Sequence, residues 1–286
     1  MRKVVRWTAY ALGSIVALAL VAFCAVYGRG AMILNRHWDA AGVDLAIPTD
    51  TASIARGHHL AASRGCLDCH GPSGRGLMLF DQPNVARIAA PNIARLARVY
   101  GAADFDRIVR HGVRPNGMGV AIMPSNMFAN FTDGDMASVI AYLRTLDSLP
   151  DALPPRAVKV LGYIGLGTGQ FELTPQVIAR QVAGRAAAPA AQGDTAARGR
   201  YIALTSCTEC HGPDLRGAPA GSDLPAPNLM IAAGYSRDQF ARLMRTGVPA
   251  NGRKLSVMGI VARGRFANFD DDEITALHRY LTTLAR

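Results

Sequence analysis

No run of alternating apolar and polar residues long enough to call for a sheet occurs in this sequence, so a fold built on strands is not expected. No flavin or nicotinamide fingerprint is found, and no other catalytic constellation stands out. Nothing reads as the output domain a sensor would need. Aromatic residues make up only 7% of the chain, and they do not interleave with a Lys/Arg stripe. The formal net charge of +10 is therefore not laid out as a nucleic-acid surface, and no nucleic-acid partner is expected. Cysteines are few. Cys66, Cys69, Cys207 and Cys210 form two C-x-x-C pairs and Cys24 stands alone, which is not the pattern of a disulfide framework. The composition itself, 50% hydrophobic and 18% charged, supports packed cores and argues against disorder.

Charge is also missing from Trp7 to Tyr27. As a helix rising about 1.5 Å per residue, that run spans roughly 31 Å, the thickness of a bilayer core. Arg2, Lys3 and Arg6 precede it. The positive-inside rule then keeps the N-terminus cytoplasmic and exports everything after Arg29. The expectation is a single-pass inner-membrane protein, with residues 1–30 as anchor, 31–48 as connector and the remainder periplasmic. A cleaved leader is the competing reading. Its apolar region would be unusually long, and no clear small-x-small site follows the run. Phe23 stands where a lipidation signal at Cys24 wants a small residue, so Cys24 reads as a thiol within a membrane helix.

What the chain does contain is a repeat. Ala55-Arg56-Gly57 answers to Ala197-Arg198-Gly199, and Cys66-Leu67-Asp68-Cys69-His70-Gly71-Pro72 to Cys207-Thr208-Glu209-Cys210-His211-Gly212-Pro213. Ala90-Pro91-Asn92 answers to Ala226-Pro227-Asn228, and Asn116-Gly117 to Asn251-Gly252, each followed at the same distance by a methionine, Met123 or Met258. Phe128-Ala129-Asn130-Phe131 answers to Phe266-Ala267-Asn268-Phe269. Two domains follow, at residues 49–149 and 194–286.

Each unit reads as helical, giving an all-α class. Short helices are predicted over Ile54–Ala62 and Ala102–His111, the second stopped by Gly112. Its counterpart runs from Ser236, a cap, to Thr246, stopped by Gly247. The last helix of each unit starts at Thr132 or Asp270 and carries apolar residues at helical spacing: Met136, Val139, Ile140 and Leu143, then Ile274, Leu277 and Leu281. Residues 150–193 read as a linker. Pro154-Pro155 breaks any helix, Leu161 to Phe171 is apolar and glycine-rich, and Ala183 to Ala196 reads as flexible. Whether the middle stretch packs on a domain or on a partner stays open.

Two cysteines spaced by two residues put both thiols on one side of a helical turn. They can then form thioethers to the two vinyl groups of one haem, while the adjacent histidine reaches the iron; this is the c-type attachment motif. Zinc would need two further ligands per pair, and the pairs lie in separate units. A thioredoxin-like redox pair would want a βαβ context, which is not found. The expected cofactors are two haem c groups on Cys66, Cys69 and His70 and on Cys207, Cys210 and His211. For the sixth iron ligand the repeat favours Met123 and Met258. Met118 and Met127 are rivals in unit one, and Met230 and Met244 in unit two. His37, His58, His59, His111 and His278 have no histidine partner across the repeat and read as surface or boundary residues. A carbonyl near Pro91 or Pro227 is expected to accept the Nδ1–H of the ligating histidine.

Each unit resembles a class I c-type cytochrome domain: C-x-x-C-H, then Pro-Asn, then a methionine loop, then a Tyr-Leu helix at Tyr142-Leu143 or Tyr280-Leu281. Met123-Pro124, Phe128, Thr132-Asp133 and Ala141-Tyr142-Leu143-Arg144-Thr145-Leu146 resemble the cytochrome subunits of membrane-bound bacterial dehydrogenases. Those subunits usually carry three such motifs, and this chain has two. Unit two also has Gly259 in place of Pro124 and three extra residues before Phe266, so its methionine loop is expected to differ in shape. The resemblance implies electron transfer between haems, from a dehydrogenase partner to quinone, an oxidase or a soluble cytochrome, with no catalysis by the chain itself. A two-haem enzyme with one open iron site is the alternative, and a cytochrome subunit of a terminal oxidase is a third reading.

Overall fold

The structure, a computed structural model, describes residues 2–148, 150, 153–182, 195–218 and 226–285. The stretch read as flexible, Ala183 to Ala196, lies outside the described residues except for its last two. The chain opens with α1 (Arg2–Leu34). Unit one follows with α2 (Thr51–Ser63), α3 (Cys66–His70), β1 (Leu77–Gln82), β2 (Ala86–Ala90), α4 (Ile93–Val99), α5 (Ala102–His111), α6 (Ser125–Phe128) and α7 (Asp133–Thr145). Then come β3 (Ala157–Val158), α8 (Val160–Thr168) and α9 (Thr174–Val182). Unit two has α10 (Thr195–Ser206), α11 (Thr208–His211), α12 (Arg237–Thr246), α13 (Val257–Gly264) and α14 (Asp271–Thr283).

The helix ends follow from local chemistry. Asp50 accepts the Ser53 amide proton at 2.9 Å and starts α2. Thr132 accepts from the Asp135 amide at 3.1 Å and starts α7. Ser236 with Gln239 and Asp270 with Glu273 form reciprocal capping boxes at α12 and α14. Gly112 and Gly247 end α5 and α12 at φ 66° and 74°, a conformation that costs other residues strain. Phe105, Met136, Ile140 and Leu143 meet in the core of unit one, and Phe240, Ile274, Leu277 and Leu281 in that of unit two.

The fold is mostly helical, as expected, with one departure. β1, β2 and β3 form a small antiparallel sheet in that order. β1 is only half covered and its register slips between Met78 and Phe80, while β3 supplies two residues from beyond unit one. A slipped strand and a remote two-residue partner leave no alternation to read.

α1 exposes its large apolar side chains from Val4 to Phe23 and is long and apolar enough to cross a membrane. Its last turns are covered. A Cβ at Gly30 would collide with the Tyr163 carbonyl, and one at Gly167 with the Val26 carbonyl, so α1 and α8 cross backbone to backbone. The Tyr27 and Tyr163 rings lie 4.8 Å apart. The apolar, glycine-rich segment thus packs on α1, and α9 continues onto α5 and α6. The connector is tied down as well. Trp38 donates its amide proton to Gly117 at 2.9 Å, Val43 donates to the buried Asp106 carboxylate at 2.9 Å, and Leu45 enters the unit-one core.

Within each unit the first helix crosses the last at a matched glycine. A Cβ on Gly57 would strike the Ser138 carbonyl of α7, and one on Gly199 the Ala276 carbonyl of α14. The units then meet about a local two-fold relation. His59 of α2 donates to Glu273 at the start of α14 at 2.8 Å. At the matched positions Tyr201 of α10 donates to Asp135 at the start of α7 at 2.5 Å. Arg64, almost fully buried, donates to Glu273 at 2.9 Å and lies over the Phe269 ring.

Two predictions follow from this packing. Gly57→Val and Gly199→Val each overpack a helix crossing and should destabilise their unit by roughly 1–3 kcal/mol or more, read as a lowered Tm of the full chain; an unchanged Tm contradicts the crossing. Burial alone would raise the Glu273 pKa, but the His59 hydrogen bond and the Arg64 charge hold it down to about 2 from an ordinary 4.5. A depressed carboxyl stabilises the folded state fully above its unfolded value, and the effect is lost as pH falls through the folded value. Tm should therefore drop between about pH 4.5 and pH 2, and Glu273→Gln should lower Tm at neutral pH and flatten that acid slope.

Candidate functional site

Gly65 adopts a left-handed turn at φ 85° between α2 and α3. That turn swings the chain into the single helical turn holding Cys66, Cys69 and His70. Both thiols are free, and burial pushes Cys66 up to about 12 and Cys69 upward, with Arg265 working against both shifts. His70 Nδ1 lies 2.8 Å from the Pro91 carbonyl oxygen. A carbonyl only accepts, so Nδ1 carries the proton and Nε2 keeps its lone pair. Burial lowers the His70 pKa, against the Pro91 hydrogen bond, and keeps the ring neutral at neutral pH.

Unit two repeats this geometry. Cys207 and Cys210 are free, burial pushes Cys207 up to about 12 and Cys210 upward, and His211 Nδ1 lies 2.8 Å from the Pro227 carbonyl oxygen. Burial lowers the His211 pKa as well. The Ala-Pro-Asn segments explain why the carbonyl sits there. Asn92 accepts from the Arg95 amide at 3.0 Å and Asn228 from the Met230 amide at 2.9 Å. Each asparagine caps the helical turn after it, which pins the preceding prolyl carbonyl against the imidazole.

In unit two Cys207, Cys210, His211 and Met258 line one cavity of about 390 Å³, walled mainly by apolar side chains such as Phe240 and Leu277. Two thiols, a neutral imidazole with a free Nε2 and a thioether around an apolar space are the donor set a c-type haem requires, so the residues fit that group. Met258 sits in the first turn of α13, whereas Met123 precedes the single turn of α6, so the two methionine loops do differ in shape. Met123 is half-buried against the unit-one core, and its carbonyl accepts from the Thr174 hydroxyl of α9 at 3.0 Å. The segment after unit one therefore fastens the Met123 loop.

Three of the four rival methionines are otherwise placed, and Met244 shares the unit-two cavity with Met258. Met127 is fully buried in the unit-one core. Met118 pairs through its backbone with His37. The Met230 sulfur accepts from the Asn228 side chain at 3.3 Å. Met244 is buried, as a core residue should be, and also lines the unit-two cavity. His58 packs on Tyr142 and His278 on Phe240. His59, read as a boundary histidine, proves to be an interface donor. Arg64 and Arg265 carried no sequence signal at all: Arg265 replaces Met127 in the repeat, and only the fold shows what it touches.

Comparison with known proteins accords with this geometry. The sequence profile of the cytochrome c family matches residues 54–147 and again 196–285. The chain is similar to the fructose dehydrogenase cytochrome subunit of Gluconobacter japonicus, at 27% identity over 262 residues, covering 81% of this chain and 52% of that one. It is similar to the gluconate 2-dehydrogenase cytochrome c subunit of Pantoea cypripedii, at 27% over 272 residues, covering 82% and 60%. A shorter match joins it to the Cbb3-type cytochrome c oxidase subunit CcoP of Helicobacter pylori, at 32% over 99 residues, covering 34% and 30%. The chain spans between half and three-fifths of the length of the two dehydrogenase subunits. Two matched regions, each holding a cysteine pair, a histidine pinned by a prolyl carbonyl and a methionine loop, lead to one assignment: this chain belongs to the cytochrome c family, whose domains carry haem c and transfer electrons.

Proposed function

We propose that the chain is the two-haem, membrane-anchored electron-transfer subunit of a respiratory dehydrogenase, working on the periplasmic side of the inner membrane. The observation that carries this reading is the duplicated histidine geometry, a 2.8 Å contact from Nδ1 to a prolyl carbonyl in both C-x-x-C-H units. Haem c, when bound, supplies one-electron redox chemistry. Cys66 and Cys69 would hold one haem covalently, and Cys207 and Cys210 the other. His70 and His211 would present Nε2 to iron, and each keeps its proton on Nδ1, which donates to the carbonyl oxygen of Pro91 or Pro227 and so fixes the ring and its tautomer. Met123 and Met258 are the residues that would supply a thioether to the iron, and a thioether favours the reduced iron. The apolar wall of the unit-two cavity keeps water from the site.

Residues 49–149 and 194–286 are then the two haem domains, and residues 1–30 the anchor. The placement of Arg2, Lys3 and Arg6 before α1 supports a cytoplasmic N-terminus. The dehydrogenase partner is supported by relatives that match over four-fifths of this chain. The oxidase-subunit reading has the support of a match over one third of it.

Two experiments test the proposal. Pyridine haemochrome analysis of the purified full chain should give two haems, and Cys66→Ser/Cys69→Ser or Cys207→Ser/Cys210→Ser should each remove one; a single haem in the unsubstituted chain overturns the reading. Reduced protein should bind carbon monoxide at neither haem. Met123→Ala and Met258→Ala should each open one haem to the gas and lower one midpoint potential. Ready gas binding before any substitution would replace the electron-carrier reading with that of a two-haem enzyme.

A further inference from the structure

Arg265 lies just before Phe266 in unit two, and its side chain is 9% exposed. Its Nε donates to Asp68 Oδ2 at 3.0 Å, and its Nη1 donates to Glu209 Oε2 at 2.8 Å. These two acceptors are matched residues. Asp68 is the second residue between Cys66 and Cys69, and Glu209 the second between Cys207 and Cys210. One guanidinium thus grips the middle of both cysteine motifs at once, and it also lines the unit-two cavity. The close approach depends on Gly65, where a Cβ would collide with that guanidinium. Charge-assisted bonds from a planar, mostly buried donor are short and directional, unlike exposed ion pairs. The unit-one position matched to Arg265 is Met127, so the repeat itself does not demand a cation there.

We propose that Arg265 is a positioning residue that couples the two haem sites, holding both cysteine motifs at a fixed separation and placing one shared positive charge beside both. The inference rests on the two-haem reading given above. A nearby positive charge disfavours the ferric state, which carries one charge more than the ferrous state, and so raises the potential of each haem. Without it, Asp68 and Glu209 stand uncompensated and favour the ferric state at both. The contact between units does not hang on Arg265 alone, because Arg64, His59 and Tyr201 bridge it separately.

The test is a spectroelectrochemical titration of the full, detergent-solubilised chain carrying its haems. Arg265→Met, which installs the unit-one residue, should lower both potentials, each ferric-to-ferrous ratio rising on the order of tenfold at a given applied potential, or about 59 mV for a one-electron couple. Arg265→Lys should recover most of that shift. Asp68→Asn should raise chiefly one potential and Glu209→Gln chiefly the other. A purely structural role would not produce opposite signs from the two halves of one ion cluster. Unchanged potentials in Arg265→Met with both haems retained overturn the proposal, as do carboxylate variants that shift in the same direction as the arginine variant. Should Arg265→Met fail to mature, the two carboxylate variants decide by the same signs. Failure of the two-haem reading would show separately, as a haem count below two in the unsubstituted chain.

Discussion

Everything in the two units hangs from one contact, the crossing of the first helix over the last at Gly57 and Gly199. Because neither position has a side chain, the backbones approach until the Cα of one helix meets a carbonyl of the other. That approach fixes how the first helix lies on the last, and the cysteine motif begins within three residues of the end of the first helix in unit one and directly at it in unit two. The last helix, started by its Thr132 or Asp270 cap, carries Asp135 or Glu273 in its N-terminal turn into the interface. The haem motif and the domain contact are therefore consequences of the same crossing, seen at its two ends. A larger residue at either glycine would move both together.

The local chemistry of the fold was legible in the sequence, and the non-local part was not. Caps such as Thr132 and Ser236, stops such as Gly112 and Gly247, and core residues such as Met136 and Ile140 act within a few residues of where they stand, so their types and spacing suffice. The prolyl carbonyls beside His70 and His211 could be anticipated because a repeated Ala-Pro-Asn has to do the same thing twice. The small sheet could not. Its register slips, and its third strand comes from a segment that looked like linker. Nor could the arrangement of Arg64, Arg265 and His59, since each departs from the repeat and takes its partner from the other unit. Duplication reveals what two units share, which includes the acidic acceptors Asp135 and Glu273 and Asp68 and Glu209, whereas the donors that reach them differ between the units.

The interface is polar for a reason that follows from this. The two core clusters are separate, and the side-chain hydrogen bonds that cross between the units join charged and hydroxylic groups. Such groups add stability only when all are satisfied. Glu273 meets this on the acceptor side: it accepts from His59 and Arg64 while also closing the capping box of its own helix, whereas the buried Nε of Arg64 has no hydrogen-bond partner. A buried cation with a fixed partner tolerates little sliding, which suits the proposed two-haem reading, because electron transfer between two centres depends steeply on their separation.

The two units are not equivalent with respect to the membrane helix. Unit one is fastened to it from both sides in sequence, through the connector at Trp38 and Val43 and through α8 lying on α1. Unit two is held through its contacts with unit one, the most deeply buried of them at Arg64 and Arg265. The contacts therefore change in kind away from α1, from a backbone-to-backbone helix crossing to a set of charged hydrogen bonds. Unit one is thus tied to α1 directly, and unit two is aligned on unit one through charged contacts. On the role proposed above for Arg265, the charges between the units bear both on the placement of unit two and on the field at its cysteine–histidine site.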